Sequence, residues 1–253
     1  MRTARFRDSD GAIRSGEYTD DGIVADDETY DPESVEVLPP TEPTKILGVG
    51  PNYYSNIEHY DREEPASTAD LTVFVKTVPN TVVAHGQTAV MRPPGEFHFE
   101  GELGVVIGER CREVSQDEAM HYVEGYTCVN EITNKGIPDS MYAVRDRIRN
   151  KSFDDSCPFG PVLATPDEVP EDATLETRIN GEVRQHDSIE NLIFSVPELI
   201  EDISTYLILE PGDVIATGSP EGVDKLSDGD TVEVEIEGIG TLEHDVAIPR
   251  ERE

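Results

Sequence analysis

The sequence predicts an α+β fold that is predominantly β. Strand-like segments rich in Val, Ile, Thr and aromatic residues recur along the whole chain, and turns rich in Gly, Pro and Asp separate them. Only two or three segments have the periodicity of a helix, and strands do not alternate regularly with helices. A doubly wound parallel sheet is therefore disfavoured, because that architecture needs a helix after almost every strand.

The sequence pattern changes near residue 40. Residues 1–40 contain short strand-like pieces broken by Asp and Gly, and the Pro-rich segment VEVLPPTEPTK closes them. We expect a small N-terminal β-rich segment at residues 1–40 and a larger domain at residues 41–253.

Local signals define the elements of the larger domain. A helix is expected after the Gly-Pro turn of KILGVGPNYYSNIEH, and strands in LTVFVK, LGVVIG and YTCVNEI. Ser115 and Glu118 have the spacing of a capping box, which predicts a short helix ending at Gly125. The Asn-Gly pair at residues 180–181 predicts a hairpin turn. Residues 196–208 form the clearest amphipathic helix, with a proline in the first turn.

The composition is strongly acidic, with 54 Asp and Glu against 20 Lys and Arg and a formal net charge of −34. One interpretation is a partner with a basic surface, and the other is adaptation to high salt, which screens surface charge. The acids are dispersed and lysines are scarce, which favours a salt-rich cytoplasm. Binding to nucleic acid or to an anionic membrane is disfavoured, because few cations are present to neutralise phosphates.

The sequence contains no evident targeting or membrane segment. The N-terminus lacks the apolar core of a signal peptide, and no apolar run approaches the roughly 20 residues of a membrane span. Cys111, Cys128 and Cys157 are odd in number and widely spaced, which argues against a disulfide framework or a zinc site. We therefore expect a soluble, cytoplasmic protein.

A row of polar side chains leads into the apolar strand LGVVIG. His98, Glu100 and Glu102 occupy alternate positions, so on one strand they would share a face. Two interpretations are open: the face is the wet surface of a salt-adapted protein, or a cation lies between the carboxylates. Oxygen ligands of this kind suit hard cations such as Mg²⁺, Mn²⁺ or Ca²⁺.

Six segments of the sequence carry a family resemblance. In order they are HFEGELGVVIGE, EGYTCVNEIT, RNKSFDDSCPFGP, INGEVRQ, IFSVPELIEDIS and LEPGDVIATGSPEGV. Together they resemble the fumarylacetoacetate hydrolase family, from about residue 45 to the C-terminus. The resemblance implies a β-roll or sandwich-like catalytic domain, usually dimeric, with a divalent ion that is normally Mg²⁺. It also implies small 2-oxo acids or diacids as substrates.

The resemblance assigns a metal site and a catalytic lysine. Glu100 and Glu102 match the ExE pair that binds the ion in the family. Glu131 stands where the family has its third ligand, usually an Asp, and the longer side chain still suits a hard cation. Lys151 in RNKSFD matches the active-site lysine of the family.

The resemblance also implies residues that bind the substrate. Thr217 and Gly218 match the turn that holds a substrate carboxylate in the family, and Asn52 is retained from its lid motif. Lys135 replaces the usual Arg, which keeps the charge but loses the planar fork.

The lid motif departs from the family pattern. Asn56 stands at the position of the usual His, and His59 stands at the position of the usual Glu, with Glu58 beside it. Glu58 and His59 are the candidate water-activating pair, although adjacent helical residues do not face one another.

The sequence predicts a Mg²⁺-dependent enzyme that acts on a small 2-oxo acid. Hydrolytic C–C cleavage of an acylpyruvate through an enolate ranks first, followed by isomerisation or decarboxylation, and then by hydration or dehydration. A non-catalytic protein that binds a metal and a 2-oxo acid is an alternative from another class. Ligand binding without turnover would distinguish that alternative.

Overall fold

The polypeptide forms two principal β-sheets, and helices pack against the larger one. The computed structural model describes residues 1–59, 63–92, 94–136 and 147–249. In these ranges no helix is both long enough and apolar enough to cross a membrane.

Strands make up most of the regular structure, so the predicted α+β, predominantly β fold is confirmed. Within the described residues the helices are α1 (Tyr54–His59), α2 (Gln116–Ala119), α3 (Arg147–Lys151) and α4 (Val196–Tyr206). The strands are β1 (Arg2–Arg7), β2 (Ile13–Thr19), β3 (Gly22–Ala25), β4 (Glu28–Tyr30), β5 (Glu36–Leu38), β6 (Ile46–Gly50), β7 (Thr72–Lys76), β8 (Val82–Val83), β9 (Thr88–Val90), β10 (Phe97–His98), β11 (Gly101–Ile107), β12 (Val123–Asn130), β13 (Thr133–Asn134), β14 (Cys157–Ala164), β15 (Thr174–Ile179), β16 (Glu182–Ser188), β17 (Val214–Ala216), β18 (Thr231–Ile236) and β19 (Gly240–Ala247).

The larger sheet has the strand order β4-β3-β2-β1-β14-β12-β11-β17-β6-β7. All seven residues of β11 are buried, which confirms the buried strand predicted at LGVVIG. Val105 and Ile107 pack with the helix α4 side of the sheet, whereas Val106 packs with the cluster on the opposite face. An apolar run with no polar alternation is typical of a strand covered on both faces.

The smaller sheet has the order β16-β15-β18-β19-β9. The predicted hairpin is confirmed, since Asn180 and Gly181 join β15 to β16 and both have positive φ, at 53° and 79°. Positive φ at both turn residues is the geometry that the Asn-Gly pair favours. A large apolar core includes residues of both sheets and of the segment before β11: Phe97, Phe99, Leu103, Leu175, Val232 and Leu242.

The N-terminal residues form β1 to β5 and join the larger sheet. Arg2 and Thr3 of β1 pair with Ala164 and Leu163 of β14. The two parts of the chain therefore share backbone hydrogen bonds, and the boundary near residue 40 stays a prediction.

Helix α4 confirms the amphipathic helix predicted at residues 196–208, although it ends at Tyr206. Ser195 caps it: the Glu198 carboxylate accepts from the Ser195 main-chain N–H at 2.8 Å and from its hydroxyl at 2.7 Å. Leu199, Ile200 and Ile203 are buried on the sheet.

The predicted helix ending at Gly125 is wrong in its length. Helix α2 ends at Ala119, a 3-10 turn covers Met120–Tyr122, and β12 begins at Val123. Val123 pairs with Ile107, so the β-forming residues that follow extend the ladder with β11 rather than the helix. Tertiary pairing outweighs the local capping signal.

The single strand expected through His98, Glu100 and Glu102 is also wrong. Strand β10 ends at His98 and pairs with β13, and β11 begins at Gly101. Between them, the Glu100 N–H donates to the Asn130 side-chain oxygen at 3.0 Å instead of to a main-chain carbonyl of a neighbouring strand.

Asp213 connects the segment before β6 to β17. Its buried carboxylate accepts from the Thr44 and Lys45 main-chain N–H groups, both at 3.0 Å, and from the Glu210 N–H at 2.8 Å. It also forms an ion pair with the Lys45 ammonium. This carboxylate therefore fixes the chain at the points where the parallel strands β6 and β17 begin.

We expect Asp213→Ala to lower the free energy of unfolding by about 3 kcal/mol, because it leaves the Lys45 charge and several donors without their acceptor. Urea denaturation measures the change. Asp20→Ala is the matched control, since Asp20 is fully exposed and lies 3.6 Å from Arg2. Equal losses in the two variants would contradict this role for Asp213.

Candidate functional site

Three carboxylates from two distant segments meet at the start of β11. Gly101 of β11 lies opposite Asn130 of β12, and the Glu131 N–H donates to the Glu100 carbonyl at 2.8 Å. Carboxylate oxygens of Glu100, Glu102 and Glu131 consequently lie within 4.8 Å of one another. Glu102 and Glu131 are only 2% and 1% exposed, so a wet acidic surface does not account for them.

Lys151, at the end of α3, contacts two of these carboxylates. Its ammonium donates to Glu100 Oε2 at 2.9 Å, to Thr133 Oγ1 at 2.5 Å and to Glu131 Oε2. The Thr133 hydroxyl donates in turn to Glu100 Oε1 at 2.8 Å.

Lys76 is a second buried cation at the cluster, and the sequence analysis missed it. Its ammonium lies 2.5 Å from Glu131 Oε1 and donates to the carbonyls of Lys151 and Ser156 at 2.6 and 2.8 Å. Lys76 is fully buried at the end of β7. A signal was available, since one of only five lysines closes an apolar strand, where a buried charge needs a partner.

Burial and charge shift the pKa values within the cluster. Burial, and then the neighbouring Glu131 and Glu100, raise the pKa of Glu102 well above its ordinary value. Burial also raises the pKa of Glu131, although Lys151 and Lys76 oppose it. At Glu100 the effect of burial is outweighed by Lys151, and the pKa is lowered. Burial lowers the pKa of Lys151, but Glu100 and Glu131 outweigh it and leave the ammonium more firmly protonated.

The donor set fits a hard divalent cation. All three side chains offer carboxylate oxygens, which are the ligands that Mg²⁺, Mn²⁺ and Ca²⁺ accept. Glu131 pairs with the ammonium groups of Lys76 and Lys151, and Glu102 accepts from the Gly218 N–H at 2.8 Å. Burial and the like-charged neighbours raise the pKa of Glu102, and a bound cation would offset both effects.

The carboxylates open into a cavity of about 430 Å³. This volume is typical of a site for a small organic ligand. The cavity is lined by the Glu cluster with Lys151, by the loop before α1, by β7 and by the turn after β17: Gly50, Pro51, Asn56, Thr72, Phe74, Thr133, Lys135, Arg147 and Ser219 are among the lining residues.

The turn predicted to bind substrate holds Glu102 in this structure. The Gly218 N–H is the group that donates to Glu102, and Gly218 has φ 108°, which favours glycine. The Thr217 hydroxyl donates to the Leu103 carbonyl at 3.1 Å. Neither residue lines the cavity, whereas the neighbouring Ser219 does. Substrate binding by Thr217 and Gly218 stays a prediction.

The Asn52 side chain hydrogen-bonds to the turn that contains Thr217 and to the segment at Phe194. Its amide donates to the Thr217 carbonyl at 2.9 Å and to the Phe194 carbonyl at 3.1 Å, and it accepts from the Phe194 N–H at 2.8 Å. Asn52 is fully buried and does not line the cavity. Its contacts position the turn, and direct contact with a substrate stays a prediction.

Glu58 and His59 do not line the cavity that contains the three glutamate carboxylates. Both are exposed on α1, and His59 Nδ1 lies 3.3 Å from Glu221 Oε2. Asn56 is the α1 residue that lines the cavity, because it and Ile57 form the buried face of this short helix. The catalytic role predicted for Glu58 and His59 remains untested.

Lys135 lies at the rim of the site. It is exposed and lines the cavity, and its main-chain N–H donates to the Glu96 carbonyl at 2.7 Å. Its charge helps to lower the pKa of Glu100. Substrate binding by Lys135 stays a prediction.

A buried histidine on β19, His244, supports the segment that carries Glu100. Asn130 connects the two, since its Oδ1 accepts from the Glu100 N–H and its Nδ2 lies 2.9 Å from His244 Nε2. His244 Nδ1 lies 3.1 Å from the Asp245 carbonyl, which can only accept. The ring is therefore neutral with its proton on Nδ1, and burial lowers its pKa to about 4.

Comparison with known proteins identifies the family. A sequence model of the fumarylacetoacetate (FAA) hydrolase C-terminal domain matches residues 45–247, which is most of the chain. The protein belongs to the fumarylacetoacetate hydrolase family. The resemblance seen in the six sequence segments is thereby confirmed, and members of this family are enzymes.

The curated relatives include proteins with named activities. Oxaloacetate tautomerase YisK of Bacillus subtilis is 39% identical over 224 residues, with 82% of this chain and 71% of the relative covered. The 4-hydroxyphenylacetate degradation bifunctional isomerase/decarboxylase of Salmonella dublin is 38% identical over 223 residues. That match covers 87% of this chain and half of the relative.

Solved structures of the family have the same fold. The 5-carboxymethyl-2-hydroxymuconate delta-isomerase of Mycobacterium smegmatis has a TM-score of 0.86 and 31% identity, covering 99% of this chain and 100% of that one. Fumarylpyruvate hydrolase of Pseudomonas aeruginosa, solved with Mn²⁺ and pyruvate, has a TM-score of 0.72 and 28% identity, covering 83% and 91%.

We expect Lys76→Met to lower the free energy of unfolding of the metal-free protein by about 3–5 kcal/mol, because Glu131 loses one of its two buried cations. Added Mn²⁺ should raise the melting temperature of this variant more than that of the wild type, since it restores positive charge beside Glu131. Calorimetric melting in EDTA and in Mn²⁺ measures both effects.

Lys225→Met is the control, because Lys225 is exposed and pairs with Glu96 outside the cluster. An equal gain from Mn²⁺ in the Lys76 variant, the control and the wild type would argue that Lys76 does not balance Glu131.

The dependence of stability on pH should reflect the protonation of His244. Between its ordinary pKa of 6.5 and the folded value of about 4, the unfolded chain binds a proton that the folded protein refuses. The contribution of His244 to the free energy of unfolding is therefore fully present above pH 6.5. It falls as the pH drops toward 4, by at most about 3 kcal/mol. Free energies of unfolding measured by urea denaturation across this range should fall less steeply with decreasing pH for His244→Gln than for the wild type. His121→Gln, at an exposed histidine, should show the same dependence of the free energy of unfolding on pH as the wild type.

Proposed function

We propose that this protein is a divalent-metal-dependent enzyme that acts on a small 2-oxo acid through an enolate. The observation that supports this most directly is the buried group of Glu100, Glu102 and Glu131, with Lys151 against it, at the wall of a ligand-sized cavity. Burial, and then the like-charged Glu131 and Glu100, raise the pKa of Glu102, and perturbed groups in a cavity are typical of functional sites.

The three glutamates would hold the ion, with Mg²⁺ as our first choice and Mn²⁺ as the ion seen in the fumarylpyruvate hydrolase structure. A bound divalent cation would supply Lewis-acid polarisation of the 2-oxo group and of the adjacent carboxylate. Lys151 keeps its proton in this setting, so its charge stabilises negative charge that develops on the substrate oxygen. Phe74 and Val49 are apolar residues that line the cavity.

Among the possible reactions, we favour proton transfer next to the 2-oxo group, as in isomerisation or tautomerisation, or decarboxylation. These reactions need no activated water. Asn56, which has no basic side chain, lines the cavity, whereas Glu58 and His59 are exposed. The named curated relatives, a tautomerase and an isomerase/decarboxylase, support the same order.

Hydrolytic C–C cleavage of an acylpyruvate, which ranks first from the sequence, is the second candidate. The similarity to fumarylpyruvate hydrolase supports it. It requires a group that activates water, and Glu58 with His59 would have to reach the cavity by a movement of α1. Hydration or dehydration ranks below both.

We further propose that the protein forms a homodimer and works at high salt. Val73, Val75 and Tyr206 are 39%, 46% and 71% exposed along β7 and the end of α4, an apolar surface beside the last strand of the sheet. The net charge of −34 supports the proposal about salt. Analytical ultracentrifugation across a salt series tests both.

We expect Glu102→Gln to weaken Mn²⁺ binding at least about 100-fold, because it removes a ligand rather than a supporting residue. Titration calorimetry of the metal-free protein measures this directly. Glu221→Gln, at an exposed carboxylate, should bind Mn²⁺ like the wild type.

Activity is tested with the Mg²⁺- or Mn²⁺-loaded protein and a panel of oxaloacetate, unsaturated 2-oxo diacids and acylpyruvates. Turnover of the first two groups supports the favoured reactions, and turnover of acylpyruvates alone supports hydrolysis. Metal and ligand binding with no turnover would favour the non-catalytic alternative, and unchanged metal binding in Glu102→Gln would remove the proposed metal site.

A further inference from the structure

Arg147 lies one helical turn before Lys151. Both are on α3, at positions i and i+4, so their side chains share a face of the helix. Both line the cavity with the glutamate cluster. Helix α3 therefore presents two cations to the same cavity: Lys151, which is engaged with Glu100 and Glu131, and Arg147 beyond it.

Arg147 makes no ion pair within the described part of the chain, which is unusual for this protein. Arg178 pairs with three glutamates, and Arg14 pairs with two aspartates. With 54 acidic residues against 20 lysines and arginines, an arginine at an ordinary surface position finds a carboxylate easily. An arginine that faces a cavity without one is suited to an acid from outside the chain.

Among the described residues, the contacts of Arg147 hold its side chain but occupy only one of its N–H donors. Its guanidinium carbon lies 5.9 Å from the centroid of the Phe74 ring, and Nη2 donates to Thr72 Oγ1 over a long 3.4 Å. The Lys151 ammonium lies 5.1 Å from the same ring centroid. A guanidinium has five N–H donors arranged as a planar fork that matches a carboxylate.

We propose that Arg147 determines specificity by binding the far carboxylate of a 2-oxo diacid. This inference rests on the proposed function, in which the 2-oxo acid end of the substrate lies at the glutamate cluster beside Lys151. The Phe74 ring lies against both cations and would pack on the short carbon chain between the two ends of the ligand. A 2-oxo monoacid would leave Arg147 without an anion.

Two ligands of equal chain length test this directly. 2-Oxoglutarate carries a far carboxylate, and 2-oxopentanoate carries a methyl group in its place. In titration calorimetry with the Mn²⁺-loaded wild type, we expect 2-oxoglutarate to bind more tightly than 2-oxopentanoate. Arg147→Gln should weaken 2-oxoglutarate binding about 10- to 100-fold, as expected for loss of a charge-assisted hydrogen bond, and change 2-oxopentanoate binding less than about twofold.

Two further variants separate charge from geometry. Arg149→Gln removes the same charge from the same helix at an exposed position that does not line the cavity, so both affinities should match the wild type. Arg147→Lys keeps the charge and loses the fork, and should give an intermediate loss for 2-oxoglutarate alone.

The outcomes distinguish this inference from the proposed function. If the wild type binds both ligands but Arg147→Gln weakens both equally, or neither, Arg147 does not recognise the far carboxylate and the metal-dependent function stands. An equal effect of Arg149→Gln would likewise reduce the result to general electrostatics and overturn the inference. If the Mn²⁺-loaded wild type binds neither 2-oxo acid, the proposed function itself is contradicted.

Discussion

The site depends on the burial of three carboxylates against two ammonium groups. Glu100, Glu102 and Glu131 together exceed the charge of Lys76 and Lys151 by one, and all five side chains lie largely out of water. Buried charges are tolerated only when they are paired, protonated or bound to an ion. Burial, and then repulsion by Glu131 and Glu100, raise the pKa of Glu102, and a cation bound in the cluster would lower it.

The fold provides this arrangement by bringing four separate segments together. Antiparallel pairing of β11 with β12 sets Glu131 beside Glu100, and β7, the last strand of the larger sheet, ends at Lys76. Helix α3 carries Lys151 into the space between them. The carbonyls of Lys151 and Ser156 both accept from Lys76, so the same buried ammonium also holds the main chain that carries the catalytic lysine candidate.

The cavity wall away from the glutamate cluster is held by a different set of contacts. The Asn52 side chain donates to the Thr217 carbonyl, and the Gly218 N–H donates to the Glu102 carboxylate, so these contacts position Glu102 and the neighbouring Ser219 in the cavity wall. Arg147 and Lys135 line the cavity from segments that flank residues 137–146, and both are at least partly exposed. The cluster is suited to binding an ion, and these outer cations are suited to selecting the organic acid that binds with it.

The sequence by itself determined the fold class, the hairpin, helix α4 and the family, because these depend on local periodicity, turn chemistry and ordered motifs. It also singled out Glu100, Glu102, Glu131 and Lys151, which the tertiary structure brings into contact. Only the tertiary structure decided where β12 begins, because strand pairing outweighed the capping signal at Ser115. For Lys76 the sequence offered only a lysine at the end of an apolar strand, and its buried carboxylate partner is a product of the tertiary structure. Arg147 could not be assigned from the sequence, since its significance lies in the cavity that it lines.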